Sequence, residues 1–232
     1  MSKLHYIEGI RKVIDKIDTT MEEQILAAAE LCANTIASGK LVHLFGSGHS
    51  VLPVQDVFPR YGGVVGWHPC MDPRLMWNNV IGPGGARELL WIERQEGYIA
   101  NFLQSYNFQE GEVMIVYSHG GANAAPIECA LYAKERGLKV IAVTSVDNYR
   151  NGKPATYDYN GKKIKLYDVA DVVIDNCCSL IDAQVELKNE PGYVGATSTI
   201  GAIAVSQTLA TETAELLEQK GHAIEPFVSP NV

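Results

Sequence analysis

The chain has 232 residues, 47% of them apolar and 20% charged, with a formal net charge of −8. This length favours one α/β domain with a helical extension, and the apolar share is enough for a large core. The negative charge argues against nucleic acid and anionic membranes as partners. The first residues contain no apolar signal core, no apolar run could span a membrane, and the five cysteines lack CxxC spacing. We therefore expect a cytoplasmic protein with reduced thiols and no metal site.

The first 39 residues have the apolar spacing of a helix. Apolar residues recur every three or four positions from 6 to 38, and Gly39 follows as a stop signal. We predict a helical extension over residues 1–39 and the main domain over residues 40–232. The narrow apolar stripe leaves two alternatives, a helix that packs against a second subunit or one that lies on its own domain.

Short apolar segments alternate with helical ones after residue 40, which is typical of a parallel sheet covered on both faces. We predict strands over residues 41–45, 64–67, 113–117, 139–144 and 171–174. Helices are predicted over residues 51–60, 87–104, 124–136 and 198–220. Residues 71–86 and 147–165 are rich in polar residues and glycine, so we expect loops there.

Three polar turns lie where predicted strands end or a helix begins. They are Gly46 to Ser50, Ser118 to Asn123, and Thr197 to Thr199. Glycine amides, hydroxyls and helix N-termini bind anions, and ligands of open α/β sheets lie beyond the carboxyl ends of the strands. The first turn is neither the dinucleotide fingerprint nor a Walker loop. The turns together predict a shared anion site.

These turns resemble those of the sugar isomerase (SIS) family of phosphosugar-binding domains. The family has a Gly-rich Ser loop after its first strand, a Ser-rich loop after a central strand, and a Ser-Thr pair at a helix start. The resemblance covers residues 41–220 and extends to a small SIS-only group of about this length. It implies a three-layer αβα sandwich around a five-stranded parallel sheet with flavodoxin-like strand order, and a homodimer.

The resemblance also implies a function in carbohydrate metabolism. We expect an aldose–ketose isomerase acting on a sugar phosphate or amino-sugar phosphate, without a cofactor. Two alternatives stay open. Residues 81–96 are similar to the N-acetylmuramic acid 6-phosphate etherase branch, which favours a lyase, and SIS domains in regulators act as non-catalytic sugar-phosphate sensors. Gly120 and Asn123 stand where many members have serine and threonine, so phosphorylation of the sugar stays open.

We expect residues of the three turns, with two further positions, to bind the substrate. They are Ser47, Gly48, Ser50, Arg60, Ser118, His119, Gly120, Asn123, Asp182, Ser198 and Thr199. Arg60 stands where the etherase and heptose-phosphate isomerase branches have a second glutamate, and it either clamps an anion or pairs with Asp56. Asp182 either binds sugar hydroxyls or caps a turn.

Isomerisation requires a group that moves a proton between adjacent carbons and an acid that serves the oxygens. Glu93 and Glu96 lie three residues apart on a predicted helix, so we expect them on one face. The resemblance to the etherase branch, in which a glutamate of this segment is the acid/base, implies Glu96 as the leading base and Glu93 as the second candidate. The alternative is that both are solvated helix charges. His49, inside the first turn, is the candidate for assisting acid. His43 is expected in the core and His68 in a loop.

Overall fold

Nine strands occur in the computed structural model, which describes residues 4–77 and 85–231. They are β1 (Val42–Gly46), β2 (Trp67–Cys70), β3 (Val113–Ser118), β4 (Lys139–Thr144), β5 (Tyr157–Tyr159), β6 (Lys162–Ile164), β7 (Val172–Asp175), β8 (Ala183–Glu186) and β9 (Tyr193–Ala196). Five form one parallel sheet in the order β2-β1-β3-β4-β7. This confirms the predicted α/β fold and its flavodoxin-like strand order.

Helices cover both faces of this sheet. They are α1 (His5–Thr20), α2 (Glu22–Ala37), α3 (Val51–Val57), α4 (Gly85–Ile92), α5 (Tyr98–Leu103), α6 (Ala124–Glu135), α7 (Val146–Asn151) and α8 (Ser198–Gln219). Short 3-10 turns lie at Pro73–Leu75 and Leu166–Asp168. No helix in the described part of the chain combines the length and the hydropathy that a membrane span requires.

Side chains alternate between two cores because successive strand residues point to opposite faces of the sheet. Leu44 and Ile115 belong to the core under α1, α2, α3 and α8. Phe45 and Met114, each one residue away along its strand, belong to the core under α4, α5 and α6. The three central strands are therefore buried on both sides, as their continuous apolar sequences predicted.

The N-terminal segment consists of two helices, and the prediction of one continuous helix is wrong. The helices meet at Met21, whose backbone N–H donates to Ile17 at 2.9 Å. Val13 and Ile17 of α1 are buried in the core, so α1 lies on its own domain. Ile7 and Ile14 of the same helix remain exposed. The proposed boundary between residues 39 and 40 stays a prediction.

The second strand lies three residues later than predicted. Val64 and Val65 precede it, and Gly66 between them and β2 has a positive φ of 122°. Pro69 lacks a backbone donor, but an edge strand tolerates this, and β2 is at the edge of the sheet. His68 therefore lies within a strand, and its predicted loop position is wrong.

The segment predicted as one helix over residues 87–104 consists of α4 and α5. Helix α4 ends at Ile92, and Gly97 has a φ of 83° before α5 begins. Glu93 and Glu96 therefore lie in the connection, and the prediction that they share a helical face is wrong. Two antiparallel hairpins, β5–β6 and β8–β9, also occur where the sequence indicated no strands.

Candidate functional site

The three polar turns meet at the carboxyl edge of the sheet. β1 and β3 are neighbours, with Gly46 paired to Tyr117, so the turns that follow them start side by side. A small cleft at this edge, with a volume of about 10 Å³ that holds about one water molecule, is lined by residues of all three turns and of the adjoining elements. They are His49, Ser50, Tyr117, Ser118, His119, Val143, Asn176, Ser198, Thr199 and Ala202. The sequence predicted this convergence.

Glu93 bridges the first two turns. Its Oε2 accepts a hydrogen bond from the Ser47 hydroxyl at 3.2 Å, and its Oε1 accepts one from the Asn123 side-chain amide at 2.9 Å. The backbone carbonyl of Glu93 also accepts from the N–H of Ala125, at 3.0 Å in the first turn of α6. Both its main chain and its carboxylate are thus fixed at the start of α6.

Glu93 is only 7% exposed. Burial raises its pKa, and the nearby Arg94 guanidinium and the Ser47 hydrogen bond partly oppose that rise. Arg94 is half exposed and approaches Oε1 at 3.5 Å. A carboxyl group with a raised pKa can both accept and return a proton, which suits general acid–base catalysis.

The first turn is shaped around Gly48. Its φ is 61°, and a Cβ at this position would lie 2.7 Å from Nε1 of Trp77. The Gly48 N–H donates to the carbonyl of Leu75 at 2.8 Å, which ties the turn to the segment before residue 78. His49 is exposed, with its ring centroid 5.3 Å from that of Trp77. The Gly48 amide is thus already paired within the chain.

The second turn presents His119 between two amides. Asn148 Nδ2 lies 3.0 Å from its Nε2, and Asn176 Nδ2 lies 3.1 Å from its Nδ1. Burial lowers the pKa of His119, with Asp182 as the largest opposing influence. This favours a neutral ring, which has one acceptor nitrogen, so only one of the two Asn Nδ2 groups can donate to it. Ser118 Oγ accepts the Gly121 N–H at 3.1 Å, while Gly120 is exposed.

The third turn already holds a carboxylate. Asp182 Oδ1 accepts from the backbone N–H of Thr197 at 3.0 Å and of Ser198 at 2.6 Å, and its Oδ2 accepts from the Ser198 hydroxyl at 2.8 Å. Asp182 thus caps α8, which is one of its two predicted roles. Because its charge occupies the helix N-terminus, Ser198 offers less to an anionic ligand than the sequence suggested.

Two predicted residues lie apart from these contacts. Arg60 is paired with Asp56 on the surface, which is the second of its two predicted roles. Glu96 is exposed in the connection between α4 and α5. Of the two glutamates, the structure therefore brings Glu93, and not the favoured Glu96, to the first two turns.

Asn148 and Asn176 were not among the site residues predicted from the sequence. Asn148 lies in the first turn of α7, just after β4, and Asn176 directly follows β7. Both are polar residues close to the carboxyl ends of parallel strands. Their position at strand ends is the feature from which they could have been predicted as site residues, as the three polar turns were.

Comparisons with known proteins show the family to which the chain belongs. The model of the SIS domain family matches residues 5–145. The chain is 32% identical to a UPF0309 protein of Thermoanaerobacter pseudethanolicus, over 99% of this chain and 91% of that protein. It is 34% identical to a UPF0309 protein of Caldanaerobacter subterraneus, over 98% and 90% respectively. The chain belongs to the SIS domain family.

Solved structures support the same fold for this SIS protein. The phosphoheptose isomerase of Neisseria gonorrhoeae superposes with a TM-score of 0.59 at 16% identity, covering 88% of this chain and 93% of that one. The phosphoheptose isomerase of Francisella tularensis gives 0.56 at 13% identity, covering 93% and 100%. At these identities the likeness shows a shared architecture.

Proposed function

We propose that this SIS protein binds a sugar phosphate or amino-sugar phosphate and interconverts its aldose and ketose forms. The observation that carries the proposal is the position of Glu93. This buried carboxylate is held by Ser47 and Asn123, which belong to two turns at the carboxyl edge of the sheet. The contacts fix its orientation, and burial raises its pKa toward the range useful for proton transfer.

The proposed chemistry is a proton transfer between adjacent carbons. Glu93 removes the proton from C2 of the aldose, which gives an enediol, and returns a proton to C1 to give the ketose. A second group moves the proton between O1 and O2. His49 was the sequence-based candidate for this role, and His119 is a second one because two asparagines fix its ring. The step needs no oxidant or reductant.

The anion of the substrate is proposed to bind at the first two turns. Ser50 and Ser118 line the cleft, and Gly120 is exposed beside them. Thr199 also faces the cleft, whereas Ser198 is engaged by Asp182. This arrangement supplies hydroxyl and backbone donors, which suit a phosphate group on a protein of net negative charge.

We also propose a cytoplasmic homodimer. Ile7, Ile14 and Leu26 are exposed on α1 and α2. Apolar side chains on neighbouring helices fit an interface between two copies of a chain. Sedimentation at several protein concentrations would test the dimer.

The lyase stays an open alternative, because a glutamate in this segment would serve either reaction, and the sensor has less support. The segment that favoured a lyase includes residues 81–84, which lie outside the described residues. The sensor alternative gives no role to a buried carboxylate held by two turns.

A turnover assay in deuterium oxide tests the proposed function. Aldose and ketose phosphates of three to seven carbons, with amino-sugar phosphates, would be incubated with the full chain at high enzyme concentration. We expect one pair to interconvert, with solvent deuterium at the carbon that receives the proton. Loss of a substituent would indicate the lyase. A rise in melting temperature with one sugar phosphate, but no turnover of any, would replace the isomerase with a sensor.

A further inference from the structure

Two histidines and a cysteine lie together on β1 and its edge neighbour β2. His43 is paired with His68 in the register of the two strands, and Cys70 follows His68 by two residues on the same face. These side chains are 27 positions apart at most along the sequence, yet the strand pairing brings them into one group. The prediction of no metal site was based on residue spacing along the chain. Such spacing does not reveal ligands that are brought together by the pairing of two strands.

The ligand atoms of this group are close enough for one metal ion. His43 Nδ1 lies 2.9 Å from His68 Nδ1. One ring nitrogen of each histidine and Cys70 Sγ all lie within 4.8 Å of one another. In a tetrahedral zinc site, bond lengths of about 2.0–2.3 Å place ligand atoms about 3.3–3.7 Å apart. Closing the group around zinc would therefore require the two Nδ1 atoms to separate by about 0.4 Å and the cysteine side chain to move by up to about 1 Å.

Glu112 orients the first histidine. Its Oε2 lies 2.9 Å from His43 Nε2 and accepts the Gln109 N–H at 2.7 Å, while its Oε1 accepts the Leu41 N–H at 3.3 Å. A carboxylate with these partners favours a proton on Nε2 of His43, which leaves the Nδ1 lone pair facing His68 and Cys70. Carboxylate–histidine pairs of this kind commonly support metal ligands.

The surroundings of the group separate it from the candidate active site. His43 precedes Gly46 by three residues, so it lies about 10 Å below the end of β1. His43 and Cys70 are buried, and the Phe108 ring lies 4.7 Å from that of His43. His68 is only half-buried, which gives an ion a path from solvent.

We propose that His43, His68 and Cys70 bind a zinc ion that joins the edge strand β2 to β1. Imidazole and thiolate ligands suit zinc, and water entering past His68 would complete four-coordination. On binding, the Cys70 thiol loses its proton to solvent and a zinc–sulfur bond forms. With three protein ligands and one water, the coordination stays open at one position, and Glu112 acts as a positioning residue. The competing account is a metal-free hydrogen-bonded chain from His68 through His43 to Glu112.

Metal content and cobalt spectra of the full chain, produced without a histidine tag, test this proposal. We expect about one zinc per chain after dialysis. Cobalt added to metal-depleted protein should give a thiolate-to-cobalt absorption band. Cys70→Ser should abolish that band, and His68→Gln should weaken zinc binding by at least about tenfold. His222→Gln and Cys177→Ser are matched controls that should leave both readouts unchanged.

The outcomes separate the two accounts. A folded wild-type chain that retains no zinc after reconstitution and gives no thiolate band would overturn the proposal, as would an unchanged band in Cys70→Ser. If Cys70→Ser does not fold, the decision rests on His68→Gln, whose half-buried side chain makes it the milder change. Equal zinc affinity in that variant and the wild type would also contradict the site.

Discussion

Asn123 donates a hydrogen bond from its side-chain amide to Oε1 of Glu93 at 2.9 Å. Such a bond favours the ionised carboxylate, so Asn123→Ala should make Glu93 harder to ionise. We expect kcat/KM to fall about tenfold more at low pH than at high pH. A tenfold difference corresponds to about 1.4 kcal/mol of lost interaction with the ionised carboxylate. A pH–rate profile measures this. Asn101→Ala, an exposed change on α5, is the control. A loss that is uniform across pH would mean that Asn123 acts otherwise.

Glu128 should make stability depend on pH. Its Oε1 accepts from the Gly97 N–H at 2.6 Å, but its buried Oε2 has no partner among residues 4–77 and 85–231. Burial raises the pKa of Glu128, although the Gly97 bond opposes this. The contribution of Glu128 to the free energy of unfolding is therefore fully present below the pKa that the group has in the unfolded chain. This contribution is lost as the pH rises through the higher pKa of the folded state.

Glu128→Gln should accordingly stabilise the fold at high pH. The amide keeps the Oε1 acceptor and removes the charge, so we expect a gain of about 1 kcal/mol near neutral pH that shrinks or reverses near pH 4. Urea unfolding at both pH values measures this. A stabilisation that is larger at the acidic value would contradict the assigned sign.

Asp182 should contribute to stability as the cap of α8. Asp182→Ala removes the acceptor for the Thr197 and Ser198 backbone N–H groups, which should cost about 1–2 kcal/mol. Asp182→Asn should lose less because asparagine also caps helices and tolerates its φ of 66°. Glu215→Ala, an exposed change on the same helix, is the control for urea unfolding. Equal stability of Asp182→Ala and the wild type would exclude a capping role.

Alanine substitutions at Gly39 and Gly48 would distinguish the cost of backbone strain from the cost of a steric clash. Gly39 and Gly48 both have positive φ values, 76° and 61°, so alanine at either should cost about 1–2 kcal/mol. A Cβ at Gly39 would meet nothing within 4 Å, whereas at Gly48 it would press on Trp77. Gly48→Ala should therefore destabilise more than Gly39→Ala in thermal unfolding, and should also reduce ligand binding. Equal effects would show that Trp77 moves away freely.

The sheet was predictable because buried parallel strands are continuous apolar segments, and four of the five lie within a residue of their predicted bounds. The error at β2 has a local cause. Val64-Val65 resembled a strand more than Trp67–Cys70 did, since proline is tolerated only at an edge. Strand order determines which segment is the edge, and one sequence does not encode that order in any local pattern.

The site was predictable to the extent that strand ends identify polar turns. The choice between Glu93 and Glu96 was not predictable, because it depends on where α4 ends and on the contacts of Ser47 and Asn123 across the sheet edge. The pairing of His43 with His68 has the same origin. Neighbouring strands bring together residues whose spacing in sequence carries no recognisable motif.

The most direct test of this account compares Glu93→Gln with Glu96→Gln. Once a substrate pair is found, kcat/KM of both variants would be measured with substrate binding as a folding control. We predict a loss of about 10²–10⁴-fold for Glu93→Gln, the usual contribution of a general base, and little change for Glu96→Gln. Full activity in Glu93→Gln, or a comparable loss in both variants, would contradict the assignment of Glu93 as the proton-transfer group.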